Sequence, residues 1–145
     1  MAQGTLTVFN EAKQNISGLV DLSNGTDFSL ILITTLPTAA DVTPDSTDYT
    51  ECTVAGNYAG AVALTSTWLE SGGTVTFDAA DPAPWTAAAG SPTDIKAALI
   101  YSETAVGEDA LCFIDMTADG GTTAISMIAG DISITFNASG LFTLA

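Results

Sequence analysis

Residues 27–36, DFSLILITTL, decide the fold class of this chain. Phe28, Leu30 and Leu32 alternate along one face of the extended segment, and two isoleucines occupy the opposite face. A strand that is apolar on both faces is typical of the centre of a sheet that is covered on both sides. The stretch therefore predicts a buried central β-strand.

Period-two alternation of apolar residues recurs on the C-terminal side of this strand. Residues 61–78 alternate on both sides of an SGG turn, which predicts a β-hairpin with a short glycine-rich loop. Residues 95–101, IKAALIY, and residues 110–116, ALCFIDM, predict a further strand pair joined by the polar loop SETAVGED.

The chain ends on an apolar run without a basic residue, GDISITFNASGLFTLA. An apolar strand left unpaired would be an exposed edge that invites association, so this segment must pair with something. Ile132, Ile134 and Phe136 alternate with polar residues, NASG supplies turn residues, and residues 141–145 follow as a last strand. We therefore predict a terminal hairpin inside the same molecule.

One segment has helical periodicity. Within residues 8–22, VFNEAKQNISGLVDL, a helical spacing that Gly18 would weaken is kept by the apolar residues Phe9, Ala12, Ile16 and Leu19. Many short strands separated by Gly, Pro, Asp and Asn surround it. The pattern predicts an all-β protein, an antiparallel β-sandwich or a jelly-roll-like barrel with one short N-terminal helix.

Length and composition indicate how the chain is organised. Its 145 residues correspond to a single β-sandwich domain over residues 1–145, and a hydrophobic fraction of 47% is enough to form a core. The start MAQGTLTVFN lacks the features of a signal peptide, and no apolar run approaches the length of a membrane span. We expect a soluble protein made in the cytoplasm. The long irregular segments 35–60 and 78–93 are expected to carry function or binding.

The charge of the chain is strongly one-sided. Seventeen acidic residues stand against Lys13 and Lys96, with no Arg and no His, which gives a formal charge of −15. Nucleic-acid binding depends on Lys and Arg, which displace counterions from phosphates, so a nucleic-acid partner is excluded. Strong like charge keeps copies apart in solution and favours a basic or cation-bridged partner surface.

The residue types needed for most catalytic sites are missing. Without His there is no Ser/His/Asp arrangement, and without Arg there is no bidentate clamp for phosphate or carboxylate. Asp78 with Asp81, or Asp115 with Asp119, would be the nearest carboxylate pairs for a glycosidase, but both pairs lie in turn-like contexts. We expect no enzyme activity and no cofactor.

Metal binding and cysteine chemistry are open at the level of sequence. The segment DMTADGG, residues 115–121, offers oxygen ligands for calcium but lacks the spacing of an EF-hand, and an ordinary loop is the favoured interpretation. Cys112 lies in an apolar run and is expected in the core, whereas Cys52 lies in a more polar stretch where exposure is possible. A disulfide between them is disfavoured but open.

Four side chains are predicted to contact a partner: Trp85, Tyr58, Phe142 and Leu144. Trp85 lies in a Pro- and Ala-rich loop, where its ring either plugs one end of the sandwich or anchors a partner. Tyr49 and Tyr58 flank Cys52 in the other long loop, with the same two interpretations open.

Five segments together form a recognisable pattern: TLTVFNEAKQNISGLVDLSNGTDFSLILITTLPTAA, SGGTVTF, PWTAAAG, IKAALIYSETA and DISITFNASGLFTLA. With these segments, the chain resembles a group of small acidic proteins encoded in tailed-bacteriophage genomes. The resemblance covers nearly the whole chain, and none of its motifs is a catalytic signature.

This resemblance implies a virion component. The preferred expectation is a capsid decoration or cement protein on the capsid exterior, made in the host cytoplasm, which binds the major capsid protein in many copies and forms a homo-oligomer. The alternative is a tail or fibre component that acts as a receptor- or carbohydrate-binding module, in which calcium could take part. Neither expectation involves nucleic acid or a membrane as a partner.

Overall fold

The computed structural model describes residues 3–15, 21–42, 44–105 and 107–144. Two antiparallel sheets, one of five strands and one of three, form an all-β, sandwich-like fold. None of the helices in these ranges is long and apolar enough to cross a membrane. The elements in chain order are β1 (Leu6–Val8), α1 (Asn10–Asn15), β2 (Phe28–Ile33), a short 3-10 helix (Ser46–Asp48), β3 (Val62–Leu64), β4 (Ser66–Ser71), β5 (Thr74–Ala79), β6 (Ala97–Ser102), β7 (Ala110–Asp115) and β8 (Phe142–Leu144).

The large sheet has the strand order β1-β7-β6-β2-β3, and the small sheet has the order β4-β5-β8. All six residues of β2, of β6 and of β7 are buried. Strand β2 pairs antiparallel with β6 along its whole length and with β3 at its start. The predicted central strand in residues 27–36 is therefore confirmed.

The large sheet is covered on both faces, as the double apolar pattern of β2 predicts. On the inner face, Phe28 meets Phe77 of the small sheet edge to face, with ring centroids 5.0 Å apart. On the outer face, Phe113 of β7 packs against Phe9, with ring centroids 5.1 Å apart, and Phe9 in turn stacks on Tyr49. The segment around α1 and the first long loop thus form a third layer.

One side of the sandwich is closed by the chain itself. Strand β3 of the large sheet and β4 of the small sheet are separated only by Thr65, so the chain bends directly from one sheet into the other. The Ser66 amide donates to the Gly25 carbonyl at 2.9 Å, and the Ala80 amide donates to the Thr65 carbonyl at 2.9 Å. We call this side the closed edge.

The opposite side has no such connection. There β1 is the outermost strand of the large sheet and β8 is the outermost strand of the small sheet. These strands come from opposite ends of the chain and have three residues each. We call this side the open edge.

The predicted hairpin in residues 61–78 is confirmed in its second part. Strands β4 and β5 pair from Ser66 with Ala79 to Ser71 with Thr74, around the glycine turn. Strand β3, by contrast, belongs to the large sheet, because the chain changes sheets at Thr65. The predicted strand pair of residues 95–101 and 110–116 is confirmed as β6 and β7, with a register shift at Ile100 and Tyr101.

The predicted terminal hairpin is wrong. Strand β8 pairs with β5, with Phe142 opposite Phe77, and residues 132–136 form no strand with it. Instead, Ile132 exchanges two backbone hydrogen bonds with Trp85, each of 2.9 Å. The tail does pair inside the molecule, but the second long loop takes the backbone partners that the hairpin would have used.

The turn before β8 explains why the tail reaches β5. Gly140 has φ +91°, and a Cβ atom there would lie 2.9 Å from the Phe77 carbonyl oxygen and 2.4 Å from the Thr76 methyl group. Only a glycine allows the backbone this approach. Immediately afterwards, the Leu141 amide donates to the Phe77 carbonyl at 2.8 Å and starts the pairing.

The predicted N-terminal helix is confirmed only over Asn10–Asn15. Its expected start is occupied by β1, and Phe9 lies fully buried between the two elements. Residues 16–20, which include Ile16 and Gly18 of the predicted helix, lie outside the described residues.

Candidate partner-binding cleft

A cleft of about 840 Å³ lies along the open edge. Its lining comes from both sheets and from the segment between them. The lining residues are Gln3, Gly4, Leu6, Ile114, Met116, Ser133, Ile134, Thr135, Phe136, Asn137, Ser139, Gly140, Leu141, Phe142 and Thr143.

The apolar side chains of the cleft extend the core to the surface. Ile114 and Ile134 are buried, while Leu6, Phe136 and Phe142 are half-buried. The ring of Phe142 packs on Phe77 with centroids 5.2 Å apart, so one face of Phe142 rests on the core. The cleft therefore lies between the two sheets at the open edge and continues into the core.

The lining of the cleft carries no charge. None of its fifteen residues is Asp, Glu, Lys or Arg, although the chain has 17 acidic residues. Beyond the lining, the Asp81 carboxylate accepts the amide of the lining residue Phe136 at 2.7 Å. A surface that is neutral and partly apolar in a chain of charge −15 is suited to contact with another protein.

Strand β1 also offers backbone groups at this edge. The Asp115 amide donates to the Thr5 carbonyl at 3.0 Å, and the Phe9 amide donates to the Leu111 carbonyl at 3.2 Å. Because inward and outward groups alternate along an antiparallel strand, Leu6 and Val8 direct their N–H and C=O groups away from β7. Within the described part of the chain no group bonds to them.

Two of the four predicted contact residues lie on the open edge. Phe142 lines the cleft, and Leu144, at the end of β8, is 38% exposed. The structure brings Phe142 together with Leu6 and Met116, which the sequence analysis did not single out. Alternation in TLTV marks Leu6 as a strand residue, but no pattern shows that its strand is outermost.

The other two, Tyr58 and Trp85, are buried. Tyr58 is 1% exposed, and its hydroxyl accepts the Leu32 amide at 3.0 Å and donates to Glu51 Oε1 at 2.7 Å. Burial, opposed by the Leu32 bond and assisted by the Glu51 carboxylate, raises the pKa of Tyr58. Trp85 is 7% exposed and lies beside Tyr58, with ring centroids 6.4 Å apart. Of the two interpretations of Trp85, its burial matches the plug.

Tyr49 lies in the first long loop, residues 35–60, as Tyr58 does, and is half-buried in the outer layer. Its hydroxyl donates to Asp41 Oδ2 at 2.8 Å. Burial and this bond raise the pKa of Tyr49. Partial burial opposes ionisation of Asp41, but bonds from Thr38 and Tyr49 outweigh it, so the pKa of Asp41 is lowered. The pair therefore ties two points of the first long loop together.

The carboxylates considered for catalysis or calcium bind the backbone of loops. Asp115 is fully buried, and its Oδ1 accepts the amide and hydroxyl of Thr117, at 2.8 and 2.7 Å. Asp119 is exposed and accepts the Thr123 amide, which lowers the pKa of Asp119. Asp78 accepts the amide of the next residue. Among the described residues, no group of three or more His, Cys, Asp or Glu side chains is placed to hold a metal ion.

A cluster of carboxylates lies away from the cleft, beside the 3-10 helix. Asp45 and Asp109 form a backbone bridge, and Ser46 donates to the Glu108 carboxylate. Partial burial raises the pKa of Asp45, and the hydrogen bond and charge of Asp109 raise it further. Asp48 and Glu11 add smaller repulsions. Here like charges are held together by the fold.

Both cysteines are free and buried. The possible exposure of Cys52 is wrong, because its backbone pairs with β2 through a 2.8 Å bond to the Leu32 carbonyl, and its side chain is 1% exposed. Burial raises the pKa of Cys52 to about 12, with help from the Asp94 and Glu51 charges. Burial alone raises the pKa of Cys112, which lies in the core as predicted.

Comparison with protein families, curated protein sequences and solved structures gives no match to this chain.

Proposed function

We propose that this chain is a non-enzymatic structural protein of a virion, and that it acts as a capsid decoration or cement protein. It binds the outer capsid lattice in many copies and stabilises the shell. The observation that carries the proposal is the neutral, partly apolar cleft at the open edge of a chain whose charge is otherwise −15.

The charge distribution supports attachment to another protein. Copies of the chain repel one another in solution, so they stay dispersed while they are abundant and unassembled. At the cleft, an approaching protein meets no carboxylate in the lining. The acidic remainder of the surface faces solvent or basic patches of the partner, the major capsid protein in the preferred proposal.

The proposed mechanism is repeated binding, without a chemical step. Each copy bridges neighbouring subunits of a lattice with modest affinity. Many bridges together oppose expansion of the shell, because a subunit held at several points cannot leave by breaking one of them. A homo-oligomer placed around a lattice axis would multiply the effect, since each oligomer would hold several subunits.

A second candidate function is a receptor- or carbohydrate-binding module of a tail or fibre. The observation that favours it is the first long loop, where Val42 and Val54 are 83% and 57% exposed. Exposed apolar side chains on a loop are suited to recognition. They lie outside the lining of the cleft, so this function would use a different surface.

The copy number of the chain in purified particles tests the proposal. Quantitative mass spectrometry would compare it with the major shell protein. Decoration predicts a ratio near one per shell subunit, or a simple lattice fraction, and release of the chain together with loss of shell robustness. A few copies per particle would support the tail or fibre module, and absence from particles would contradict both functions.

A further inference from the structure

We infer that the open cleft binds an extended peptide segment of a partner protein, which adds as a strand to the free edge of β1 and carries basic residues at both of its ends. The inference rests on the proposed function only in requiring a protein partner. It names the chemistry that such a partner must present.

The backbone of β1 sets the binding mode. Leu6 and Val8 each direct one donor and one acceptor outward, and no group in the described residues uses them. An extended segment beside β1 would satisfy these groups with main-chain hydrogen bonds, as in strand addition at other sheet edges. A helix could not, because its own backbone groups are already paired.

The cleft supplies side-chain specificity. Along an added strand, alternate side chains point to the same face. Those on the inner face would enter the gap between the sheets and contact Leu6, Met116 and Phe142. The neutral polar residues Ser133 and Thr135 also line the gap, so small apolar or hydroxyl side chains suit it.

Charge decides between a foreign partner and a second copy. A second copy would bring a second chain of net charge −15 against the first. The lining of the cleft is neutral, so the repulsion comes from carboxylates beyond the lining, and screening at physiological salt weakens it only for charges more than about 8 Å apart. A segment with a neutral centre and Lys or Arg at its ends avoids the repulsion and gains attraction from carboxylates beyond the lining, such as Asp81.

The chain offers variants that separate the two contributions. Val8→Pro removes one outward N–H without breaking a bond to β7, and proline is tolerated on an edge strand. Leu6→Arg places a long charged side chain in the cleft. Leu69→Arg is the matched control, because Leu69 is 67% exposed on β4, the strand of the small sheet at the closed edge.

Nuclear magnetic resonance titration with defined peptides tests the inference on the full chain. The probe is the end-capped peptide Lys-Lys-Thr-Val-Thr-Val-Thr-Lys-Lys. We expect it to shift the amide signals of Leu6, Val8 and Phe142 first. A peptide with Glu in place of Lys should bind at least about tenfold more weakly, which corresponds to about 1.4 kcal/mol.

The variants decide whether binding occurs at β1. Val8→Pro and Leu6→Arg should each weaken probe binding about tenfold or more, whereas Leu69→Arg should leave it unchanged. Circular dichroism would establish that each variant is folded. If one of the two β1 variants does not fold, the other still tests the inference, because the two substitutions differ in chemistry. Equal binding by all variants would overturn the inference, as would concentration-dependent dimerisation through β1 in place of peptide binding.

The outcome is distinguishable from that of the proposed function. A high copy number in particles without binding of either peptide would overturn strand addition and leave decoration standing. If the chain binds the Lys-flanked probe at β1 but is absent from particles, strand addition would be supported and the proposed decoration function would be contradicted.

Discussion

The closed and open edges of the sandwich differ in how their strands are connected. At the closed edge, a single residue, Thr65, links β3 to β4, and the chain itself seals the gap between the sheets. At the open edge, β1 and β8 come from opposite ends of the chain and leave a cleft of about 840 Å³. The difference teaches that a sandwich can complete its core through the chain connection on one side and leave a cleft between its outermost strands on the other.

The largest expected effect is at the centre of the sandwich, between the two edges. Phe77→Ala should lower the free energy of unfolding by about 3–5 kcal/mol, because the ring is fully buried and packs on Phe28 and Phe142. Urea denaturation followed by fluorescence would measure it.

Phe142→Ala is the matched control for this change at the open edge. Its ring is half-exposed, so truncation should cost only about 1–2 kcal/mol. Equal losses for Phe77→Ala and Phe142→Ala would contradict the distinction, because they would mean that the cleft is packed as tightly as the core.

A smaller effect is expected from filling space at the closed edge. A Cβ atom on Gly25 would lie 2.8 Å from the Ser66 carbonyl oxygen, where the chain turns between the sheets. Gly25→Ala should therefore cost about 1–3 kcal/mol, measured as a shift of the urea midpoint. Gly130→Ala is the control, because no atom lies within 4 Å of its added Cβ. A Gly25→Ala variant as stable as the Gly130→Ala variant would show that the closed edge is loose.

The smallest effect concerns charge repulsion away from both edges. Asp109→Asn should raise the free energy of unfolding at pH 7 by about 0.5 kcal/mol, because it removes the like charge beside Asp45. The folded-state pKa of Asp45 is raised, so its contribution to stability is full below the unfolded pKa and is lost as the pH rises through the folded value. The gain should therefore vanish near pH 3.

Asp119→Asn provides a control of opposite sign. The folded-state pKa of Asp119 is lowered by bonds from Thr123, so its carboxylate contributes stability above the unfolded pKa, which is lost as the pH falls through the folded value. Asp119→Asn should be destabilising at pH 7 and neutral at low pH. Thermal melts of both variants across this pH range would measure the two signs, and identical pH profiles would contradict the assignment.

Much of the large sheet could be predicted from sequence because its strands carry their own signal. Apolar residues on both faces of β2, β6 and β7 reflect burial on both sides, which is a local property of each segment. The β4–β5 hairpin was predictable for the same reason, since its turn residues lie between its strands.

The features that the sequence did not predict depend on contacts between segments that are distant in the chain. Alternation in residues 132–136 indicates an extended segment but not its partner, and Trp85 and Asp81 bond to its backbone from a distant loop. The cleft depends on β1 and β8 being outermost, which is a property of strand order. The buried Tyr58 hydroxyl accepts the Leu32 amide. No sequence pattern shows that this amide would bond to a loop side chain.

The central claim is that the open edge is the binding edge, and hydrogen exchange of individual amides tests it most directly. In the free protein the Leu6 and Val8 amides should exchange rapidly, while the Phe9 amide, bonded to the Leu111 carbonyl, should be protected. On purified particles the first two amides should become protected at least about tenfold. Unchanged exchange at Leu6 and Val8, with new protection along β4 at the closed edge, would contradict the account.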